Sequence, residues 1–226
     1  MQTAPSCVWK GIGIYFIYII GVEQLKKRMR KTEETEQKLI DAAYRLIKAD
    51  GFDATSIKKI CAEAGVAYST FYFYFPSKEH IIPKFYSRIR LFSENDFAAI
   101  LGIEGAWDRL WFAHTIYLDH ISEIGPEICA QYYRCNLSYP ETARETYSIE
   151  HQKVLEPLIS QAQRSGEILN RMDSESVYSC SLNLVRGIYF NWSTHLSDFD
   201  LHSEMRRNLE VFYQVREDLC IYNKQH

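Results

Sequence analysis

Apolar side chains recur every three or four positions over long stretches of this chain, the spacing of one face of an α-helix. A first stripe ends at Gly51, and a shorter one follows the potential helix cap at Thr55 and Ser56. The two stripes consist of Leu39, Ala43, Leu46 and Ile47, and of Ile57, Ile60, Cys61 and Ala64. Gly65 ends the second helix, and a third short helix is predicted over residues 67–75.

Polar residues and a proline mark the expected helix ends. Glu33, Glu34 and Glu36 precede the first stripe, where the helix dipole favours anions, so the first helix is expected to begin near them. Ser77 can cap a fourth helix. Pro83 lies about six residues further on, and inside a helix it would cost about 3 kcal/mol. The fourth helix therefore either begins as a tight turn before Pro83 or is kinked there.

The remainder of the chain, from about Arg90 onward, keeps the helical spacing and predicts five or six more helices. No stretch alternates between apolar and polar residues as a strand would. The expected fold is all-α, with an N-terminal three-helix head and a C-terminal helical body. We place the domains at residues 29–82 and 83–226, after an N-terminal extension of residues 1–28.

Charge is distributed unevenly between these two regions. The net charge of the 226 residues is only -3, but residues 24–90 hold 14 Lys and Arg against 8 Asp and Glu, whereas residues 91–226 hold 11 against 20. A basic head on an acidic body fits a module that binds a polyanion, joined to a domain that binds another partner. An accidental gradient would give the same counts.

Catalytic and metal-binding patterns are absent from the sequence. It has no phosphate-cradling glycine loop and no H-E-x-x-H or G-x-S-x-G motif, so we expect neither an enzyme nor a cofactor or metal site. The six cysteines are scattered without a C-x-x-C pair, which is typical of reduced cytoplasmic thiols.

The extension contains an apolar run over residues 11–22, followed by a basic cluster over residues 26–31. A membrane-spanning helix needs roughly 20 apolar residues, and a secretory signal would carry its positive charge before the run, not after it. We expect residues 1–28 to be non-native or disordered, with translation starting at Leu25 or Met29. The alternative is that residues 11–22 anchor the protein to a membrane.

Two short helices joined by a turn with a glycine are typical of a helix-turn-helix, here over residues 55–78. The same spacing also fits a purely structural corner, so residue identities must decide. The stretch TSIKKICAEAGVAYSTFYFYFPSKEHII resembles the signature of the TetR family of transcriptional regulators. The positions that match are Thr55, Ser56, Ile60, Ala64, Gly65, Val66, Thr70, Tyr72, Phe75, Lys78, Glu79 and Ile81. Ser69 and Tyr74 are mild departures.

The resemblance implies roles on DNA for the third helix and its surroundings. Phosphate contacts are expected from Thr70, Tyr72, Tyr74 and Lys78, and base contacts from Tyr68, Ser69 and Phe73, with Phe73 able to meet a thymine methyl. Ser56 and Lys58 belong to the same predicted surface, although Lys58 and Lys59 fit a solvated helix face equally well. Phe71 and Phe75 are predicted to be core residues.

The resemblance also implies that the body encloses a pocket for a small inducer, and aromatic walls suit a largely apolar one. Eight candidate residues line it in this interpretation: Trp107, Trp111, His114, Tyr117, Tyr132, Tyr133, Tyr147 and Trp192. An aromatic stripe is more often core than pocket. His114 is the sharpest candidate, and a buried histidine bonded to a carbonyl is the alternative.

Residues 174–195 and 201–218 resemble the helix pair through which family members dimerise. The predicted interface consists of Leu184, Val185, Gly187, Ile188, Leu209 and Phe212. Two recognition helices about 34 Å apart would read a palindrome. The sequence thus predicts a cytoplasmic homodimeric repressor that an inducer releases from double-stranded operator DNA. A membrane-tethered regulator and a helical ligand-binding protein without DNA-binding activity are the alternatives.

Overall fold

A computed structural model describes residues 8–86, 92–139, 149–194 and 198–221, and these residues form ten α-helices. The helices are α1 (Val8–Asp50), α2 (Ile57–Ala64), α3 (Tyr68–Tyr74), α4 (Ile82–Tyr86), α5 (Glu94–Gly102), α6 (Ala106–Ile124), α7 (Pro126–Ser138), α8 (Ile149–Ser165), α9 (Ser174–Thr194) and α10 (Leu201–Tyr213). Two short 3-10 turns and one isolated backbone bridge accompany them in this part of the chain. The all-α fold expected from the spacing is confirmed.

The first helix begins much earlier than expected. α1 runs without a break from Val8 to Asp50, so the backbone of residues 8–28 continues the helix, and the expectation that residues 1–28 are a non-native or disordered extension stays a prediction. Glu33, Glu34 and Glu36 lie well inside α1, and their assignment to a helix start is therefore wrong. Glu36 instead pairs with Lys84 of α4 at 2.7 Å. Residues 1–7 lie outside the described part of the chain.

No helix in the described ranges has both the length and the apolar content that crossing a membrane requires.

The head is built from α1, α2 and α3 around a small apolar core. The apolar stripe of α1 faces the inner sides of α2 and α3, and its members are buried with theirs: Leu39, Ala43, Ile47, Ile60, Cys61, Phe71 and Phe75. An ion pair between Arg45 and Glu63, at 3.1 Å, joins α1 to α2 on the solvent side. Because α1 is long and continuous, it provides one rigid support for both short helices.

Pro83 takes the first of its two predicted arrangements. A 3-10 turn over Glu79–Ile81 precedes α4, and Pro83 is the second residue of α4, where no intrahelical donor is lost. Pro83 therefore lies in the first turn of α4 and does not kink the helix. Phe85 and Tyr86 of α4 are buried between the head and the body.

The body packs α6 against α8 and α10, with α9 between α7 and α10. Two buried histidines lie in this core and bond to tyrosine hydroxyls: His114 Nε2 to Tyr213 at 3.1 Å, and His151 Nδ1 to Tyr178 at 2.9 Å. Burial, and then repulsion from His151, lowers the pKa of His114 to about 3, and burial lowers the pKa of His151 to about 4. Both rings are therefore neutral at physiological pH.

Three side chains hold the loop after α1, and two of them join the head to the body. The Phe52 N–H donates to Glu127 Oε1 of α7 at 3.1 Å, while Lys78 Nζ donates to the Phe52 and Thr55 carbonyls. Lys48, near the end of α1, donates to the Glu123 carbonyl of α6 at 2.6 Å. The loop after α1 is thus held by the body on one side and by the segment after α3 on the other.

Candidate nucleic-acid interface

The corner between α2 and α3 is set by its caps. Ser56 Oγ accepts the N–H of Lys59 at 3.2 Å and so caps α2, as the sequence predicts. Gly65 ends α2 with φ 66°, a left-handed conformation that suits glycine, and the Val66 N–H then bonds to the Cys61 carbonyl at 3.0 Å. This sharp stop turns the chain so that α3 lies across α2.

The third helix has two different faces. Phe71 and Phe75 are buried, with ring centroids 5.4 Å apart, and they attach α3 to the head as predicted. On the opposite face, Phe73 is 76% exposed, Tyr68 53% and Tyr72 48%. Solvent-exposed aromatic rings of this size on so short a helix are typical of a binding surface.

Hydroxyl groups are concentrated on this exposed face. The Tyr68 and Tyr72 hydroxyls lie 3.0 Å apart, within hydrogen-bond distance. This bond is the largest cause that raises the pKa of Tyr72, so its hydroxyl keeps its proton at neutral pH and can donate. Ser69 is exposed, whereas Thr70 and Tyr74 are half-buried, and the Tyr74 ring packs edge-on against Phe73. The face thus offers hydroxyl donors flanking one apolar ring.

The three lysines near this face differ in their surroundings. Lys58 is exposed and forms no ion pair within the described residues. Lys59 is tied to Asp50, at 3.4 Å, and to the Ala54 carbonyl. Lys78 donates to two carbonyls and lies over the Phe52 ring, 3.9 Å from its centroid. Since an ammonium has three N–H donors, Lys78 keeps one for another acceptor, and its phosphate contact stays a prediction.

The helix pair lies within a region that matches a known family of regulatory proteins. Residues 39–83 match the family model described as bacterial regulatory proteins, tetR family. This region of the chain is therefore similar to tetR-family proteins. The TetR resemblance inferred from the string at residues 55–82 is thereby confirmed, and the matched region contains all of α2, α3 and the corner between them.

Curated relatives carry the name of regulators. The chain is 31% identical over 85 residues to the HTH-type transcriptional regulator SrpR of Pseudomonas putida, an alignment that covers 38% of this chain and 40% of SrpR. It is 28% identical over 117 residues to the HTH-type transcriptional regulator YuxN of Bacillus subtilis, covering 50% of this chain and 39% of YuxN. The chain thus spans about two fifths of the length of these relatives.

Solved tetR-family structures share the fold of nearly the whole described chain. The repressor FadR of Thermus thermophilus, solved in complex with lauroyl-CoA, superposes with a TM-score of 0.59 at 19% identity, covering 80% of this chain and 96% of that one. The fatty acid degradation regulator FadR of Bacillus halodurans gives a TM-score of 0.55 at 17% identity, covering 80% and 97%. At these identities the likeness concerns the fold alone.

The predicted pocket residues are mostly buried in the body. Trp107, Tyr117, Tyr132 and Trp192 are buried, Trp111 and Tyr133 are half-buried, and Tyr147 lies outside the described residues. Arg206 of α10 is sandwiched between Trp107 and Trp111, with its guanidinium carbon 4.8 Å from each ring. Their role in ligand binding stays a prediction.

The hydrogen-bond partner of His114 differs from the backbone carbonyl that the alternative prediction gave it. The ring is buried and bonds to the Tyr213 hydroxyl, not to a carbonyl. Burial raises the pKa of Tyr213, so this partner is neutral as well. His114 is therefore part of a buried uncharged pair between α6 and α10.

The predicted dimer residues divide into two groups. Val185, Ile188 and Leu209 are buried within the chain, and Leu209 has no exposed surface, so as it stands it cannot contact a second copy. Leu184, Gly187 and Phe212 keep surface, and Leu184 and Gly187 line a groove of about 320 Å³ between α9 and α10. Ile188 also borders this groove, and the role of all six residues in a dimer interface stays a prediction.

Four further residues escaped the sequence analysis. Phe190 and Val211 are 45% and 75% exposed on α9 and α10, and the spacing of Phe190 from Gly187 was a signal for the outer face of α9. Glu127 reaches the head from α7, and Tyr86 of α4 is buried against Tyr132, with ring centroids 4.0 Å apart. Nothing local in the sequence marks these two, since their partners are distant along the chain.

Proposed function

We propose that the protein is a sequence-specific DNA-binding transcriptional repressor, released from a palindromic operator by a small, largely apolar inducer. The observation that carries the proposal is the two-sided α3, whose Phe71 and Phe75 are buried while Tyr68, Tyr72 and Phe73 are exposed. A helix held by one face and exposing hydroxyls and an aromatic ring on the other fits the major groove. Acting on genomic DNA would place it in the cytoplasm.

Selection of bound sequences from random duplex DNA, followed by fluorescence anisotropy, tests this proposal. We expect a palindromic site whose log affinity falls with log salt by about 0.9 per phosphate neutralised. Phe73→Ala should weaken the selected site and alter one base preference, because the ring would lose a thymine methyl. Binding without sequence preference, or none at all, would favour the alternative of a ligand-binding protein that does not read DNA.

The operator-binding species is proposed to be a homodimer formed through the outer faces of α9 and α10. Two observations support it: a groove lined by Leu184, Gly187 and Asn208, and the exposure of Phe190 and Val211 on the same two helices. A helix glycine that faces outward permits close approach of a second helix.

Gly187→Arg tests the dimer with little risk to folding, since a Cβ atom at Gly187 would meet nothing within 4 Å in the protomer and the rest of the side chain can extend into solvent. We expect a monomer by light scattering and a weaker operator complex. Gly102→Arg is the matched control, because Gly102 is equally open but lies on α5. A Gly187→Arg protein that stays dimeric would exclude this interface.

The inducer is proposed to bind in the body beside α4, in the domain of residues 83–226. Tyr86 supports this placement: its hydroxyl is buried near the Cys129 thiol, and no described atom completes a hydrogen bond of normal geometry with it. A buried polar group without a partner costs free energy that a ligand's polar atom would recover. The aromatic rings of Tyr117, Tyr132 and Tyr189 nearby suit an acyl chain.

Lauroyl-CoA is a suitable first probe, because the T. thermophilus FadR of similar fold was solved with it. We expect it to raise the melting temperature and to release the operator, whereas coenzyme A alone should do neither. Tyr86→Phe should weaken the response to the probe while leaving operator binding intact. A probe that binds equally well with and without operator would contradict its role as inducer.

A further inference from the structure

Tyr68 and Tyr72 form a hydrogen-bonded pair on the exposed face of α3. Their hydroxyl oxygens are 3.0 Å apart, and their rings meet edge-on with centroids 5.5 Å apart and an interplanar angle of 71°. The two residues are one helical turn apart. Neither hydroxyl forms another hydrogen bond with a described residue. The family resemblance implies separate roles for them, a base contact for Tyr68 and a phosphate contact for Tyr72. The hydrogen bond links the two side chains, so their roles on DNA cannot be independent.

Each hydroxyl has a single hydrogen, and this restricts what the pair can do on DNA. A phosphate oxygen only accepts hydrogen bonds, so Tyr72 must point its hydrogen at the phosphate. The bond between the tyrosines can then persist only if Tyr68 donates to Tyr72. Donation of this kind polarises the Tyr72 hydroxyl and makes it a stronger donor to the phosphate.

We propose that Tyr68 is a positioning residue for Tyr72, and that on DNA its hydroxyl accepts from a base and therefore selects the amino group of adenine or cytosine. In the major groove these two bases present N–H donors at N6 and N4, whereas guanine and thymine present acceptors at that edge. A hydroxyl whose hydrogen is already used on Tyr72 cannot bond to such acceptors. The inference rests on the proposed DNA-binding function.

The first consequence is a coupling between the two tyrosines in affinity. Tyr72→Phe should lower affinity for the selected operator by about tenfold, since a bond to a charged oxygen is lost. Adding Tyr68→Phe should then cost clearly less than Tyr68→Phe costs alone, because part of the role of Tyr68 acts through Tyr72. Both rings remain, and both side chains are about half exposed, so folding should not change.

The second consequence is a change of base preference caused by a residue on the phosphate. Without the Tyr72 hydroxyl, the hydrogen of Tyr68 is released and can donate to guanine or thymine. Tyr72→Phe should therefore relax the preference at the same operator position that Tyr68→Phe affects. A phosphate contact that acted alone would weaken all sequences equally.

The experiment compares the wild type, Tyr68→Phe, Tyr72→Phe and the double variant by selection from random duplexes and by anisotropy on one operator. Tyr74→Phe is the matched control, since it removes a hydroxyl from the same helix outside the pair. The loss of affinity caused by Tyr74→Phe should multiply with the loss caused by Tyr68→Phe. Base preference should stay unchanged in Tyr74→Phe. Removal of the exocyclic amino group from the selected base should cost the wild type several-fold and Tyr68→Phe nothing.

Three outcomes would overturn the inference. In the first, the losses from Tyr68→Phe and Tyr72→Phe multiply. In the second, Tyr72→Phe weakens every sequence alike. In the third, the wild type prefers guanine or thymine at the position that depends on Tyr68. All three presuppose specific binding, so they are distinguishable from failure of the proposed function, in which the wild type selects no sequence and both ideas fall together.

Discussion

The short helix α3 and the body use similar aromatic side chains in opposite ways. In α3, Tyr72 and Phe73 face solvent, while Phe71 and the cap residue Phe75 are buried. In the body, Trp107 and Tyr213 are fully buried. Large rings left in water forgo the free energy of burial, which makes the exposed ones on α3 candidates for contact with a partner. Spacing alone predicts both sets as helical stripes, and the difference lies in what packs against them.

Phe71 and Phe73 provide the largest test of this contrast, since they lie two positions apart on the same helix. Phe71→Ala should destabilise the protein by about 3 to 5 kcal/mol, because it leaves a cavity under α3. Phe73→Ala should change stability by less than about 0.5 kcal/mol, as an exposed residue would. Urea unfolding measures both. Comparable losses for the two variants would contradict the two-sided arrangement of α3.

The buried histidines test the body through pH. Their pKa values, about 3 for His114 and about 4 for His151, lie below the ordinary value of 6.5. The unfolded chain therefore takes up protons before the folded one does, so stability is complete above pH 6.5 and is lost as the pH falls below it. Between pH 6.5 and its own folded-state pKa, each histidine should lower the free energy of unfolding by about 1.4 kcal/mol per pH unit.

His114→Gln separates this contribution from general acid denaturation. The variant keeps a hydrogen-bonding side chain against Tyr213 but cannot titrate. Its free energy of unfolding, measured in urea at pH 7.5, 6 and 5, should therefore fall less steeply than that of the wild type, by the contribution of one histidine. An unchanged pH dependence would mean that His114 is as accessible to protons as a histidine on the surface.

Sequence patterns were sufficient for some of these features and not for others. The burial of Phe71 and Phe75 and the Gly65 turn follow from helical period and backbone freedom, which are local properties. The start of α1 could not be predicted from such local properties, because the acidic cluster at residues 33–36 has the composition of a helix start but lies inside a longer helix. The Tyr213 partner of His114 lies 99 positions away, and no local spacing could indicate it.

The contact between the two regions is tested by Glu127, which accepts the Phe52 N–H across the junction. Glu127→Ala would leave that partly buried donor without this partner, at a cost of about 1 kcal/mol. Hydrogen exchange at the Phe52 amide should accelerate correspondingly. Glu123→Ala is the control, because Lys48 bonds to the Glu123 backbone carbonyl, which the substitution keeps. Equal effects from the two variants would show that the Glu127 bond does not hold the loop.

The smallest effect distinguishes Lys58 from Lys59, adjacent residues that the sequence could not separate. Lys58 is exposed without an ion pair among the described residues, whereas Lys59 bonds to Asp50 and the Ala54 carbonyl. Lys58→Ala should reduce the salt dependence of operator binding by about 0.9 in the log-log slope and leave stability unchanged. Lys59→Ala should leave the slope unchanged and cost at most about 0.5 kcal/mol, because its ion pair is half exposed. A slope that changes with Lys59 and not with Lys58 would mean that α2 presents a different face to the DNA.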